Sequence, residues 1–254
     1  ASRLLARKES AGRFNVNVFA LLAPGFLIVM VLVMAGRDLG TTSVIAAILA
    51  GMLFVSGIQL RILGWATAAG ALALAFLIAT SDYRAQRFLV FLNPFAPEDY
   101  KLAGWQPAHS LLGLATGGLF GVGLGGSRQK WGNLPDAHTD FIFSVIGEEL
   151  GLVGTLAVLA LLGALIYSMF RIALRAQEPM IRYACAGIAC WFMAQSFLNI
   201  GSATSTLPVV GVTLPLVSYG GSALVASLCA IGFVAGAALR DPEVRKEIVK
   251  RRGA

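Results

Sequence analysis

Six stretches of this chain are apolar for long enough to cross a hydrocarbon core as helices: Val18 to Ala35, Thr42 to Ile58, Ile62 to Ala79, Leu150 to Met169, Tyr183 to Ile200 and Ala223 to Leu239. A core roughly 30 Å thick takes about 20 helical residues, and a helix satisfies its own backbone where no water can. The runs therefore predict an all-α polytopic membrane protein with six transmembrane helices. With 57% hydrophobic and only 13% charged residues, the chain lacks the polar surface that a water-soluble fold needs. Pro24 is expected to bend the first helix without ending it. Two further apolar stretches differ in kind: Leu111 to Leu124 is short and glycine-rich, and Leu207 to Val217 carries Pro208 and Pro215. Both read as re-entrant or interfacial segments lining a protein-walled cavity.

Orientation follows from lysine and arginine, which are retained on the cytoplasmic side of short connections. Arg3, Arg7, Lys8 and Arg13 precede the first run, Arg61 lies between the second and third, and Arg171, Arg175 and Arg182 between the fourth and fifth. A basic tail, residues 240–254, follows the last run. The opposite connections hold only Arg37, and Ser202 to Ser222 is uncharged. Both ends are expected in the cytoplasm and Thr80 to Asp140 outside it. Because the net charge of +7 is spread between apolar runs rather than gathered on one face, no nucleic-acid partner is expected. Cys185, Cys190 and Cys229 all sit in apolar runs and read as small buried hydrophobes. The basic opening, Ala1 to Arg13, leads into a run too long for a cleaved signal core.

The outer segment, residues 80–140, is far longer than a connection between neighbouring helices requires. Its tryptophans and glycine-rich apolar stretch set it apart from a disordered linker, so an ordered, functional loop is expected.

Five places in the chain carry polar chemistry. Asp38 or Thr41 can cap the helix that begins near Thr42. Arg84 and Arg87 share a face if their stretch is helical, where they can hold a diphosphate or merely snorkel to the membrane surface. Gly121 to Lys130 brings flexible backbone toward Arg128 and Lys130, an arrangement suited to an anion, but it matches neither a dinucleotide fingerprint nor a P-loop. Leu134 to Phe143 gathers Asp136, His138, Thr139 and Asp140 where the chain enters the membrane, followed by Glu148 and Glu149. Thr139 or Asp140 can cap the helix starting at Phe141, whereas at least one of the two glutamates is expected to line a polar cavity. Finally, Ser218 and Tyr219 stand in an uncharged outer segment with Gly220 and Gly221. Gly151, Gly154, Ala184 and Gly187 permit close helix contact, with a partner or inside the bundle.

In this order the stretches Asp38–Thr42, Phe91–Pro94, Ser127–Lys130, Ala137–Phe143 with Gly147–Gly151, and Ser218–Ser222 resemble the SEDS family of cell-wall proteins (FtsW, RodA and SpoVE). Gln129-Lys130 followed by Leu134 to His138 is more similar to the FtsW branch than to the RodA branch. Relatives have about ten spans, so the resemblance implies a single SEDS-like membrane domain over 1–254 that lacks the family's first four. One departure is Val210, where relatives often carry threonine or lysine, and no polar role is carried to it.

The resemblance implies a peptidoglycan glycosyltransferase that polymerises lipid II outside the cytoplasmic membrane, with residues 80–140 as its catalytic loop. The family's essential aspartate falls on Asp140. A sugar 4-hydroxyl is a weak acid, so a carboxylate within reach is expected to take its proton as it attacks, making Asp140 the general base. A single displacement then inverts the anomeric centre. The lipid-diphosphate leaving group needs charge stabilisation, which Arg84, Arg87, Arg128 and Lys130, or a bound divalent cation such as Mg or Mn, can supply. His138, Thr139, Glu148, Ser218 and Tyr219 complete the expected substrate-binding set; no metal ligands are assigned. Expected partners are lipid II and the growing glycan strand, a class B penicillin-binding transpeptidase, other divisome proteins and membrane lipids. A lipid II flippase is the rival reading and a non-catalytic divisome scaffold a third; the concentration of polar groups on the outer face favours the enzyme.

Overall fold

The structure, a computed structural model, describes residues 17–36, 38–80 and 89–240. Arg84, Arg87 and the basic tail beyond Arg240 lie outside them. Among the described residues every regular element is helical: α1 Asn17–Ala35, α2 Leu39–Val55, α3 Leu60–Ala79, α4 Trp105–Gly117, a π-helical turn Gln129–Asn133, α5 Ile142–Arg175, α6 Pro179–Ala203 and α7 Gly221–Ala238. A helix lies over each of the six apolar runs, and α1 continues through Pro24. Three of them, α5, α6 and α7, are long and apolar enough to cross a membrane; the apolar stretches Pro24–Ala35, Leu39–Val55 and Leu60–Leu72 of the other three are shorter. On α5 the side chains of Leu156 and Leu161 stay 54% and 72% exposed, so the solvent that this helix suits is a hydrocarbon one, as in a membrane protein.

Local chemistry sets the helix ends. The Asp38 carboxylate accepts from the Thr41 amide at 2.8 Å and from the Thr41 hydroxyl at 2.6 Å, so Asp38 is the cap of α2. No such cap starts α5: Thr139 turns its hydroxyl to the Asp136 carbonyl at 3.1 Å instead.

The chain divides into two compact units. The first takes its described residues from Ala1–Trp65, Ala164–Ala194 and Val225–Ala254. Its core is Met52, Leu53 and Tyr183, with Phe26, Ile48 and Leu63 packed against them. A side chain at Gly51 would run into Cys190, and one at Gly187 would meet the Met52 sulfur at 3.3 Å, so the small residues here serve packing inside the bundle. Cys185 and Cys190 are buried as expected, but Cys229 is exposed, because α7 turns most of its apolar surface outward.

The second unit comprises Ala66–Gly163 and Gln195–Leu224. Phe143, Leu162, Ala203 and Leu214 form its core, with Leu114 and Val158 against it. The buried Ser110 of α4 bonds the Ser144 hydroxyl at 2.5 Å and donates to the Ala203 carbonyl at 2.6 Å, joining α4 to α5 and α6. The long segment before α5 is thus folded over residues 89–140, with Val90, Ala108, Leu134 and Ala137 all buried.

Helix α5 breaks inside the apolar run, at Gly151 (φ 67°, ψ −162°). An unbroken helix would bond the Leu152 and Val153 amides to the Glu148 and Glu149 carbonyls. Instead those amides donate to Gly118 and Leu119 at 2.9 and 3.2 Å, while the Glu148 and Glu149 carbonyls accept from Val122 and Gly123 at 2.9 and 3.1 Å. Residues 118–123 are therefore spliced into the break, and these two amides and two carbonyls all keep backbone partners. The splice requires glycine: any Cβ at Gly117, Gly121 or Gly151 would collide with the facing backbone.

Candidate active site

The turn Leu134 to Phe141 is pinned from below. Leu134, Ala137, Phe141 and Val145 form a buried cluster, so His138, Thr139 and Asp140 are left on the open side. Asp136 sits at φ 54°, a left-handed conformation that aspartate tolerates, and its carbonyl accepts from the amides of Thr139, Asp140 and Phe141 at 3.0–3.2 Å.

From above, the three consecutive carbonyls of this stretch are each gripped by a different group. His138 O accepts from the Tyr219 amide at 2.9 Å, Thr139 O from the Ser218 hydroxyl at 2.5 Å, and Asp140 O from the Asn199 side-chain amide at 2.8 Å. Asn199, only 1% exposed, donates also to the Val212 carbonyl at 2.7 Å, and Ser218 accepts from the Leu214 amide at 2.7 Å. The segment after α6 is thereby stitched to the turn. Tyr219 is exposed and meets the His138 ring edge-on, 5.5 Å between centroids.

The Asp140 side chain takes no part in the clamp. Among the described residues no hydrogen-bond donor reaches its carboxylate, and a Cβ at Gly211 would lie 3.5 Å from Oδ2, so bare backbone faces it. Burial pushes its pKa above the ordinary aspartate value, and the nearby Asp136 charge pushes it further the same way. A half-buried carboxylate with free lone pairs and raised basicity can accept a proton from a bound hydroxyl.

A second group of residues lies along the glycine-rich stretch. Glu148, expected as a cavity-lining or substrate-binding residue, is 1% exposed. Its carboxylate accepts from the Ser127 hydroxyl, from the Arg128 amide at 3.0 Å and from the Gln129 amide at 3.2 Å. The Arg128 and Gln129 amides, on the stretch expected to approach an anion, are thus turned onto Glu148, which holds the loop. Ser127 also accepts from the Lys130 amide at 3.1 Å. What remains outward is cationic: Arg128 is exposed, its side chain without a carboxylate partner among the described residues, and Lys130 reaches Glu149 at 3.5 Å. Being 41% exposed on the lysine side, that pair is weakly held. Trp131, 74% exposed, stands 5.4 Å beneath the Lys130 ammonium.

Among the described residues no three His, Cys, Asp or Glu side chains converge as metal ligands. A cation carried by substrate phosphates needs only one or two carboxylates.

The structure therefore brings together Asp140, Thr139, His138, Ser218 and Tyr219 as one group, and Glu148, Arg128 and Lys130 as another. The sequence reading assigns no role to Asn199, Ser127 or Gly211, although Ser127 opens one of the resembling stretches and Asn199 is a polar side chain at the end of an apolar run.

The sequence model of a family described as "Cell cycle protein" (FtsW, RodA and SpoVE) matches residues 1–241. A probable peptidoglycan glycosyltransferase FtsW of Mycobacterium tuberculosis is 42% identical over 222 residues, covering 87% of this chain and 42% of that protein. One of the same name from Haemophilus influenzae is 40% identical over 240 residues, covering 92% of this chain and 59% of its own length. The chain thus spans roughly half the length of such relatives. Among solved structures, a chain of a peptidoglycan synthase complex, described for its coordination of polymerization and crosslinking, matches with TM-score 0.70 and 31% identity over 92% of this chain and 64% of its own. The crystal structure of the Thermus thermophilus rod shape determining protein RodA matches with TM-score 0.61 and 30% identity, over 92% of this chain and 59% of its own.

Proposed function

The chain belongs to the FtsW, RodA and SpoVE family of cell cycle proteins, and from that premise we propose that it carries the six-span catalytic portion of a peptidoglycan glycosyltransferase polymerising lipid II during cell division. The observation that carries the reading is the Asp140 carboxylate, which no hydrogen-bond donor among the described residues reaches while its own backbone and its two neighbours' are clamped.

In this reading Asp140 takes the proton of the acceptor 4-hydroxyl as that oxygen attacks the anomeric carbon of the donor. The bond to the lipid diphosphate breaks with its electrons on the leaving oxygen, and attack from the opposite face turns an α-linked donor into a β-linked product. Arg128 and Lys130, with Arg84 and Arg87, offset the charge of the leaving diphosphate. Thr139 and the exposed rings of His138 and Tyr219 bind the sugars, with Ser218 holding the turn beneath them. Both termini are cytoplasmic, the site is extracytoplasmic, and the partners are a class B penicillin-binding transpeptidase and other divisome proteins, as the similarity to a synthase complex of polymerization and crosslinking supports.

Full-length protein in liposomes, supplied with lipid II and assayed in parallel for glycan strands and for translocation, tests this reading. Strands of β configuration are expected. Translocation without strands would make the protein a flippase, and retention of configuration would remove the single displacement.

The raised basicity of Asp140 predicts a pH signature. Only the ionised carboxylate acts as a base, so activity is lost as pH falls through its elevated pKa, giving an acid limb above that of an ordinary carboxylate. Asp136→Asn, tolerated at φ 54°, removes the smaller of the two causes and is expected to move that limb to lower pH. A pH profile of kcat/KM unchanged by the substitution would detach Asp140 from the limb.

A further inference from the structure

A pocket of about 370 Å3 lies in the first compact unit, among the end of α5, the start of α6 and the end of α7. Its lining joins two chemistries. Ile172, Ile181 and the alanines at 237 and 238 give it an apolar wall, while Arg171, Arg175 and Arg240 bring three cations from two helix ends. Arg171 and Arg175 lie one turn apart on α5. Among the described lining residues one carboxylate stands against the three arginines, Glu178, whose contact with Arg240 is 3.8 Å long with both side chains about two-thirds exposed. So long and wet a pair leaves most of the arginine charge available to another anion.

Complementing the helix C-terminus or snorkelling would account for one or two such arginines. Neither accounts for a cavity that gathers arginines from separate helices over an apolar wall. Guanidinium groups match phosphate oxygens in geometry as well as charge, and an apolar wall suits the glycerol and first methylenes attached to such a phosphate. We propose that this pocket binds the phosphate headgroup of an anionic membrane phospholipid, a site separate from Asp140 and independent of whether Asp140 is a base. With both termini cytoplasmic, as proposed, it would draw that lipid from the cytoplasmic leaflet, where anionic headgroups attract basic residues.

The test uses the full chain in detergent, titrated with dioleoyl phosphatidylglycerol, with dioleoyl phosphatidylcholine and with inorganic phosphate, with binding read by native mass spectrometry. Phosphatidylglycerol is expected to bind at least about tenfold more tightly than phosphatidylcholine, and R171Q/R175Q to remove about that tenfold preference. The paired Arg→Lys variant should keep most of it, and Arg61→Gln, outside the pocket, all of it. Glu178→Gln is the variant that a folding defect cannot imitate: removing the one carboxylate among the described lining residues should tighten phosphatidylglycerol binding by about threefold. Equal affinity for the two lipids, or indifference to both the arginine and glutamate changes, would overturn the proposal. Displacement of the lipid by millimolar inorganic phosphate would overturn it in favour of a soluble phosphate ligand.

Discussion

Asp140→Asn in the full-length protein is expected to lower lipid II polymerisation by about 10²- to 10⁴-fold, the range for loss of a positioned general base. Asparagine keeps the side chain's size and leaves every bond of the clamp intact, since Asn199 grips the Asp140 carbonyl and not its carboxylate. Thermal stability and lipid II binding should therefore hold while turnover falls. Turnover equal to the parent would end the assignment of Asp140 as base. A fall in binding with turnover preserved would make it a substrate ligand.

Glu148→Ala should do the reverse, damaging the fold first. It strips the acceptor from the Ser127 hydroxyl and from the amides of Arg128 and Gln129, of which Ser127 is fully buried. With the donors stranded and a void left, a loss on the order of 3 kcal/mol is expected, seen as a lower melting temperature in detergent. Glu148→Gln, which retains one acceptor oxygen, should lose less. An unchanged melting temperature alongside abolished polymerisation would return Glu148 to the substrate.

The two glutamates show why part of the site was not legible in the sequence. A carboxylate inside an apolar run says that something polar must meet it, and a cavity was the natural guess. Its actual partners come from residues 127–129, and only the fold shows that the glycine stretch turns its amides inward. The break at Gly151 was hidden for a related reason. One glycine in a long apolar run reads as a packing contact, and nothing local states that residues 118–123 supply replacement bonds. By contrast, the positions of the six apolar helices followed directly from run length, and Asp38 followed from the short-range logic of a cap. Asp140 stood out by resemblance more than by pattern; Asn199, which holds it, did not, because a lone polar residue near a helix end has many ordinary uses.

The grip on residues 138–140 has a consequence for how such a site can change. It takes hold of carbonyl oxygens, which every amino acid possesses, so position and reactivity are assigned to different parts of the same three residues. New side chains could be installed at 138, 139 or 140 without disturbing where they are presented, whereas the freedom to alter Asn199 or Ser218 is far narrower although neither is proposed to touch the reacting atoms.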